Sequence, residues 1–167
     1  MDKEMLNIFY QRYSREIYLY LYSLSGNSVL SEDLLQETFL KALLSLSDSH
    51  TNVRAWLYVV ARNLYFNNLK KEKRKTSIEE IQQKSDESSN TLFDEIMRDE
   101  NRKILYNAMR KLEPRKREVL QMQYFGNLSQ KEIAAILHIT PENVRVLSYR
   151  ARREIKSYLE AENYDIP

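Results

Sequence analysis

No segment of this chain leaves less freedom than Leu128–Lys156, LSQKEIAAILHITPENVRVLSYRARREIK. Ile133, Ala134, Ile136 and Leu137 recur at helical spacing behind Ser129, a favourable N-cap, which predicts a short amphipathic helix. His138-Ile139-Thr140 then forms a short turn, in which Thr140 can cap the next helix and Pro141 takes its first position, where no N–H is needed. Two helices across so tight a turn cross steeply, as in a helix-turn-helix. In the second helix Val144, Leu147 or Ser148, Ala151 and Ile155 share the inner side, leaving Glu142, Asn143, Arg145, Val146, Tyr149, Arg150 and Arg153 outward. Arginine forks can bond base edges or phosphates in a major groove wide enough for one helix. The plainer alternative is a solvated surface helix of an ordinary all-α domain, but fold and basic stripe occurring together favour DNA.

The rest of the composition narrows the class. Two glycines and three prolines in 167 residues leave few places for hairpins, so the chain should be mostly helical. No run approaches the roughly 18 apolar residues of a membrane span. Met-Asp-Lys-Glu-Met does not read as a signal peptide, and a cytoplasmic location is expected. The absence of cysteine removes thiolate chemistry, and His50 and His138 are too isolated for a metal cluster. No Gly-rich phosphate loop and no nucleophile with a base stand out, so neither an enzyme nor a cofactor is expected. The net charge of +2 hides a division: residues 76–100 carry two Lys/Arg against eight Asp/Glu, while basic blocks lie on either side. Basic blocks attract phosphate backbones, and the acidic one should stay off DNA.

In chain order, Phe9, Tyr10, Tyr13, Ile17, Tyr18, Tyr20, Leu21 and Leu24 predict one long helix or two abutting ones over Leu6–Leu24, ended near Gly26-Asn27. Ser31 is the expected cap of the next helix, which buries Leu35, Thr38, Phe39, Ala42 and Leu46. Its other side mixes Asp33, Gln36 and Glu37 with Leu40 and Leu44, which suits a protein partner with a basic, partly apolar surface; contact of the leucines with the first helix or the linker is the alternative. After a polar loop, Val53, Trp56, Leu57, Val60, Ala61 and Leu64 form the buried stripe of a helix from Val53 to about Arg74. Away from it lie Arg54, Tyr58, Arg62, Tyr65, Phe66, Leu69 and Lys73, cations interleaved with rings, as single-stranded nucleic acid requires. The helix ends in Lys70–Lys75, KKEKRK, which alone would read as a solvated tail. Residues 76–100 are polar and acidic and predict a flexible linker with at most a short helix. Beyond it, Ile104, Leu105, Ala108, Met109 and Leu112 predict one helix, and Pro114 separates it from another, Arg115–Phe125, which Gly126-Asn127 stops.

The expected architecture is therefore all-α. Two small helical domains, 1–75 and 101–167, are joined by a flexible acidic linker, 76–100, and the C-terminal one is a four-helix domain with a helix-turn-helix.

SEDLLQETFLKAL at 31–43, WLYVVARNLYFNNLKKEKR at 56–74 and LEPRKREVLQMQYFGNLSQKEIAAILHITPENVRVLSYRARREI together resemble an extracytoplasmic-function sigma factor, the compact two-domain branch of the sigma-70 family. The resemblance covers nearly the whole chain except the linker. It implies an alternative sigma factor that directs RNA polymerase to promoters, with polymerase-binding and promoter-melting helices in the first domain (region 2) and promoter reading in the second (region 4). It implies that Asp33, Gln36, Glu37 and Leu40 dock on the clamp of the polymerase's largest subunit. Arg62, Asn63, Tyr65, Phe66 and Asn67, with Arg54, Lys70 and Arg74, would engage the minus-ten element, capturing an extruded base in a pocket walled by Trp56. The helix-turn-helix would engage the minus-thirty-five element through Arg145, Tyr149 and Arg150 most directly, with Asn143, and through Ser129, Lys131, Thr140, Glu142, Val146 and Arg153 around them. Implied partners are core polymerase, including the flap of its second-largest subunit, promoter DNA and an anti-sigma factor; no small-molecule substrate is implied. Three positions depart from the family pattern: His138 stands where glycine is common, Ser148 where leucine is usual, and Leu147 where a basic or polar residue is usual. Two rival readings are a dimeric helix-turn-helix regulator on an operator and a helical protein-interaction adaptor.

Overall fold

The computed structural model describes residues 2–46, 52–76, 95 and 98–162. Among these are seven helices and no strand: α1 Lys3–Ser25, α2 Ser28–Ser45, α3 Val53–Thr76, α4 Glu100–Met109, α5 Pro114–Tyr124, α6 Gln130–Leu137 and α7 Pro141–Ala161. The chain divides into two compact units, Met1–Thr91 and Leu92–Pro167. The expected linker lies largely outside the described residues.

In the first unit, α1 begins on Asp2, whose carboxylate accepts from Met5 N at 2.8 Å. It is a single helix. It ends at Gly26, whose φ of 65° places it in the left-handed region that glycine enters at little cost. Asn27 follows in extended conformation, and its side chain accepts from Leu30 N at 3.0 Å. Asn27 therefore caps α2, not Ser31. Ser31 is buried inside the first turn, donating its hydroxyl to Asn27 O at 2.7 Å. An asparagine just after a left-handed glycine starts the helix four residues early and leaves only two residues between α1 and α2.

From Ile17 to Ser23 seven consecutive residues of α1 are buried, so this half has no solvated side. The reason is that α1 packs on both α2 and α3. Tyrosines serve here as core residues. The Tyr18 hydroxyl meets Ser28 Oγ at 3.0 Å, and Tyr20 packs on Tyr58 at 5.1 Å between ring centroids. The expected inner side of α2 is buried in full, Leu35, Thr38, Phe39, Ala42 and Leu46 included. Tyr10, expected in the core, is 41% exposed and meets Phe39 edge-on.

In the second unit, Asp99 caps α4 and Pro114 opens α5. Met109, Leu112, Leu120, Ala151 and Ile155 form the core, with Leu105, Phe125 and Tyr158 packed around it. Tyr106, not anticipated, is fully buried against the edge of Phe125. At the end of α5 the left-handed residue is Asn127, φ 49°, whereas Gly126 donates to Gln121 O at 3.3 Å. Cations hold the helices together at their ends: Arg115 donates to Leu137 O at 3.0 Å, closing α6, and Lys116 pairs with Glu154 at 2.5 Å. The helix-turn-helix forms as expected. Ser129 and Glu132 make a reciprocal capping box on α6, and Thr140 accepts from Asn143 N at 3.1 Å on α7. Between them His138 adopts φ 57°, ψ 42°.

Candidate nucleic-acid and polymerase interfaces

Each unit presents a surface with no structural task in its own core. On α2, Asp33, Gln36 and Glu37 are exposed on the side opposite the buried stripe, and Leu40 and Leu44 beside them are 54% and 75% exposed. The leucines therefore do not fold back onto α1. Two large apolar side chains left in water beside carboxylates are a mixed surface of the kind proteins dock on.

Along α3 the residues expected on the outer face, and those that the resemblance adds to the minus-ten set, divide. Asn63, Asn67, Lys70, Lys73 and Arg74 are exposed. Phe66 is half-buried, with the Arg62 guanidinium 4.7 Å from its ring centroid and Tyr65 set edge-on at 5.2 Å. Tyr65 donates its hydroxyl to Leu24 O at 2.9 Å, which fixes this ring against the end of α1. Arg62, Tyr65 and Phe66 thus form one cation–aromatic cluster, of which Phe66 can offer a face to a base. Trp56 is half-buried, not sealed in the core.

Two members of that predicted face belong elsewhere. Tyr58 is fully buried, and Arg54 is half-buried, paired with Glu16 at 3.0 Å and lying 5.2 Å over the ring of Tyr13. Arg54 stands in the first turn of α3, where a cation opposes the helix dipole and no acidic residue of the helix itself helps. Glu16 supplies the missing charge from α1. Burial pushes the Glu16 carboxyl up to about 7, outweighing Arg54, the Tyr58 hydroxyl and Arg12, all of which favour ionisation. Tyr58 is raised well above its ordinary range, by burial first and by Glu16 second. Periodicity alone misses this cluster because α3 is wrapped more deeply by α1 than one stripe implies. The available signal was Glu16 itself, a charge between Tyr13 and Tyr20 on one helix face.

In the second unit α7 resolves the question of its inner side: Val144, Ser148, Ala151 and Ile155 are buried, and Leu147 is half-buried. Ser148 donates to Gln123 Oε1 at 2.6 Å, so its hydroxyl is not stranded. Outward stand Glu142, Asn143, Arg145, Tyr149, Arg150 and Arg153, with Val146 half-buried; Arg152 and Lys156, not anticipated, join the exposed set. Arg145 bonds Glu142 at 3.2 Å, and Arg153 lies over the Tyr149 ring at 5.8 Å. Ser129 and Thr140 are exposed but direct their side-chain oxygens to backbone N–H groups as caps. Lys131 is exposed on α6. A helix whose outer side carries four arginines and a tyrosine, projecting from a steep helix pair, has the shape and charge to enter a major groove.

No group of side chains among the described residues could hold a metal ion, and no described helix is long and apolar enough to cross a membrane.

Residues 9–75 match the family model for sigma-70 region 2, and residues 102–155 match that for sigma-70 region 4. The chain is 32% identical to the ECF RNA polymerase sigma factor SigM of Bacillus subtilis, over 89% of this chain and 91% of that one. It is 30% identical to the RNA polymerase sigma factor YlaC of the same organism, over 92% and 91%. In fold it is similar to the sigma factor RpoE solved with the anti-sigma factor NepR from Bartonella quintana, with a TM-score of 0.69 at 21% identity over 92% of this chain and 96% of that one. It is similar also to CnrH solved with the cytosolic domain of CnrY, with a TM-score of 0.66 at 22% identity over 97% and 92%. The order of the two matched regions, the helical fold that carries them and these relatives together place the chain in the extracytoplasmic-function group of sigma-70-family RNA polymerase sigma factors.

Proposed function

We infer that this sigma factor works as two DNA-reading modules, residues 1–75 and 101–167, joined through the acidic segment 76–100 and brought to one promoter by core RNA polymerase. The exposed α2 surface, Asp33, Gln36, Glu37 and Leu40, docks on the clamp of the largest subunit, and the C-terminal module meets the flap of the second-largest. Arg62, Asn63, Phe66, Asn67, Lys70 and Arg74 engage the minus-ten strand, with Tyr65 holding Phe66 in place and Trp56 walling the base pocket. Arg54 acts from behind, fixing the start of α3. Arg145, Tyr149, Arg150, Arg153 and Asn143 read the minus-thirty-five element from α7, with Glu142 orienting Arg145 and Ser129, Lys131, Thr140 and Val146 at the edge of the contact.

The chain carries no chemistry of its own and acts in the cytoplasm, where polymerase supplies catalysis. An anti-sigma protein is the expected inhibitor, by analogy with the complexes of RpoE and CnrH. The observation that carries this reading is the presence, in one chain, of an exposed acidic–apolar helix surface and two separate cationic surfaces, one of them aromatic. A dimeric operator-binding regulator would leave α2 and α3 without a task. Each module is small, so binding to promoter duplex without polymerase should be weak. The test is run-off transcription by purified core polymerase, with and without the full chain, on a library of upstream sequences. Chain-dependent initiation at a defined motif is the expected result; its absence overturns the reading.

A further inference from the structure

The buried stripe of α7 is unusual at its centre, where Ser148 and Ala151 stand between Val144 and Ile155. Small side chains let α7 approach α5 closely, but they interlock less than a branched or aromatic residue would, so apolar packing resists rotation of the helix about its axis less there. Rotation matters for a helix that reads bases. Side chains end roughly 5–6 Å from a helix axis, so a turn of about 20° moves them by ~2 Å. That exceeds the spread of good hydrogen-bond distances.

Two directional bonds to α5 supply what packing lacks. Ser148 Oγ donates to Gln123 Oε1 at 2.6 Å, in the last turn of α5, and Glu154 pairs with Lys116 at 2.5 Å in the first. Six residues separate Ser148 from Glu154, which sets them about 120° apart around α7. Ser148 stands on one edge of the buried stripe and Glu154 lies beyond its other edge, so the two bonds hold α7 to α5 at two points around its axis and a rotation strains both. The side chain of Lys116 is 16% exposed and that of Glu154 39%, so the pair is partly sheltered and is screened less than a fully exposed bridge.

We propose that Gln123 with Ser148, and Lys116 with Glu154, are positioning residues that set the rotation of α7 and thereby the base preference of Arg145, Tyr149 and Arg150 at the upstream element. They touch no DNA themselves. The proposal rests on α7 being the DNA-reading helix, and the test separates the two.

Holoenzyme assembled from core polymerase and the full chain transcribes a promoter library with a randomised upstream element, and the ratio of output from the best sequence to its single mismatches is read for each variant. Fluorescence anisotropy of the full chain on random duplex gives the sequence-independent affinity in parallel. Gln123→Met, which keeps the shape and removes the acceptor, and Ser148→Ala should each lower the ratio roughly fivefold with random-duplex affinity unchanged. Gln123→Glu, which keeps an acceptor, should retain the wild-type ratio. Lys116→Glu should lower it, and the added Glu154→Lys should restore it. Variants that keep the wild-type ratio, or that lose random-duplex binding while keeping it, overturn the proposal. A wild-type chain with no upstream preference overturns the DNA-reading role of α7 and the proposal with it.

Discussion

Glu16 sits on α1 with Tyr13 three residues before it and Tyr20 four after, and it meets Arg54, Tyr58 and Arg12 from this surface. In the unfolded chain this carboxyl ionises near 4.5, and in the folded one near 7. Between those values the folded state holds a proton that the unfolded chain has released. The contribution of Glu16 to the stability of the first unit is therefore fully present below pH 4.5 and is lost as pH rises through about 7. Trp56 is the sole tryptophan, so urea denaturation followed by its fluorescence reports this unit alone. Between pH 4.5 and 7 the midpoint of the wild type should fall relative to that of Glu16→Gln; equal slopes in both would reject the assignment. His138 offers a second residue-level test. Its φ of 57° costs an L-residue energy that glycine avoids. His138→Gly should raise the stability of the second unit by about 1 kcal/mol, visible as a higher midpoint in circular dichroism, and a lower midpoint would mean that the imidazole makes a compensating contact.

Among the elements, α6 depends most on its ends. Eight residues is too short for a helix to persist on propensity alone. Its start is held by the reciprocal bonds of Ser129 and Glu132, each at 3.1 Å, and its end by Arg115 on Leu137 O. Ser129→Ala should cost about 1 kcal/mol and speed hydrogen exchange in α6 before α7; exchange that rises equally throughout the unit would count against a local role. At this scale the sequence was informative wherever a cap and a period agreed. Ser129, Thr140 and Pro141 fix α6 and α7 because each satisfies a local backbone need. Ser31 misled because Asn27 satisfies the same need earlier, behind a glycine that has already turned the chain.

For the whole molecule, the proposed function gives the α2 surface the task of bringing the two modules to one promoter. Asp33 and Glu37 are exposed and carry no core packing, so Asp33→Lys with Glu37→Lys should leave the fold intact. Such reversal places like charges against a basic partner surface and should reduce co-purification with core polymerase by at least tenfold, roughly 1.4 kcal/mol or more. Retained co-purification with an unchanged circular dichroism spectrum would remove α2 from the interface.

The amino-acid sequence determined the helices, the helix-turn-helix and most of the outward set on α7, since periodicity and most caps are local properties. Tertiary structure alone decided which partly hidden residues stay available. It buried Tyr58 against Tyr20, drew Arg54 onto Glu16 and Tyr13, and chose Ser148 over Leu147 for the inner side by giving its hydroxyl Gln123. A helix covered by two neighbours buries more than one stripe, and a buried polar group is tolerated only where a distant residue supplies its partner. Neither condition is written in the spacing of the residues themselves.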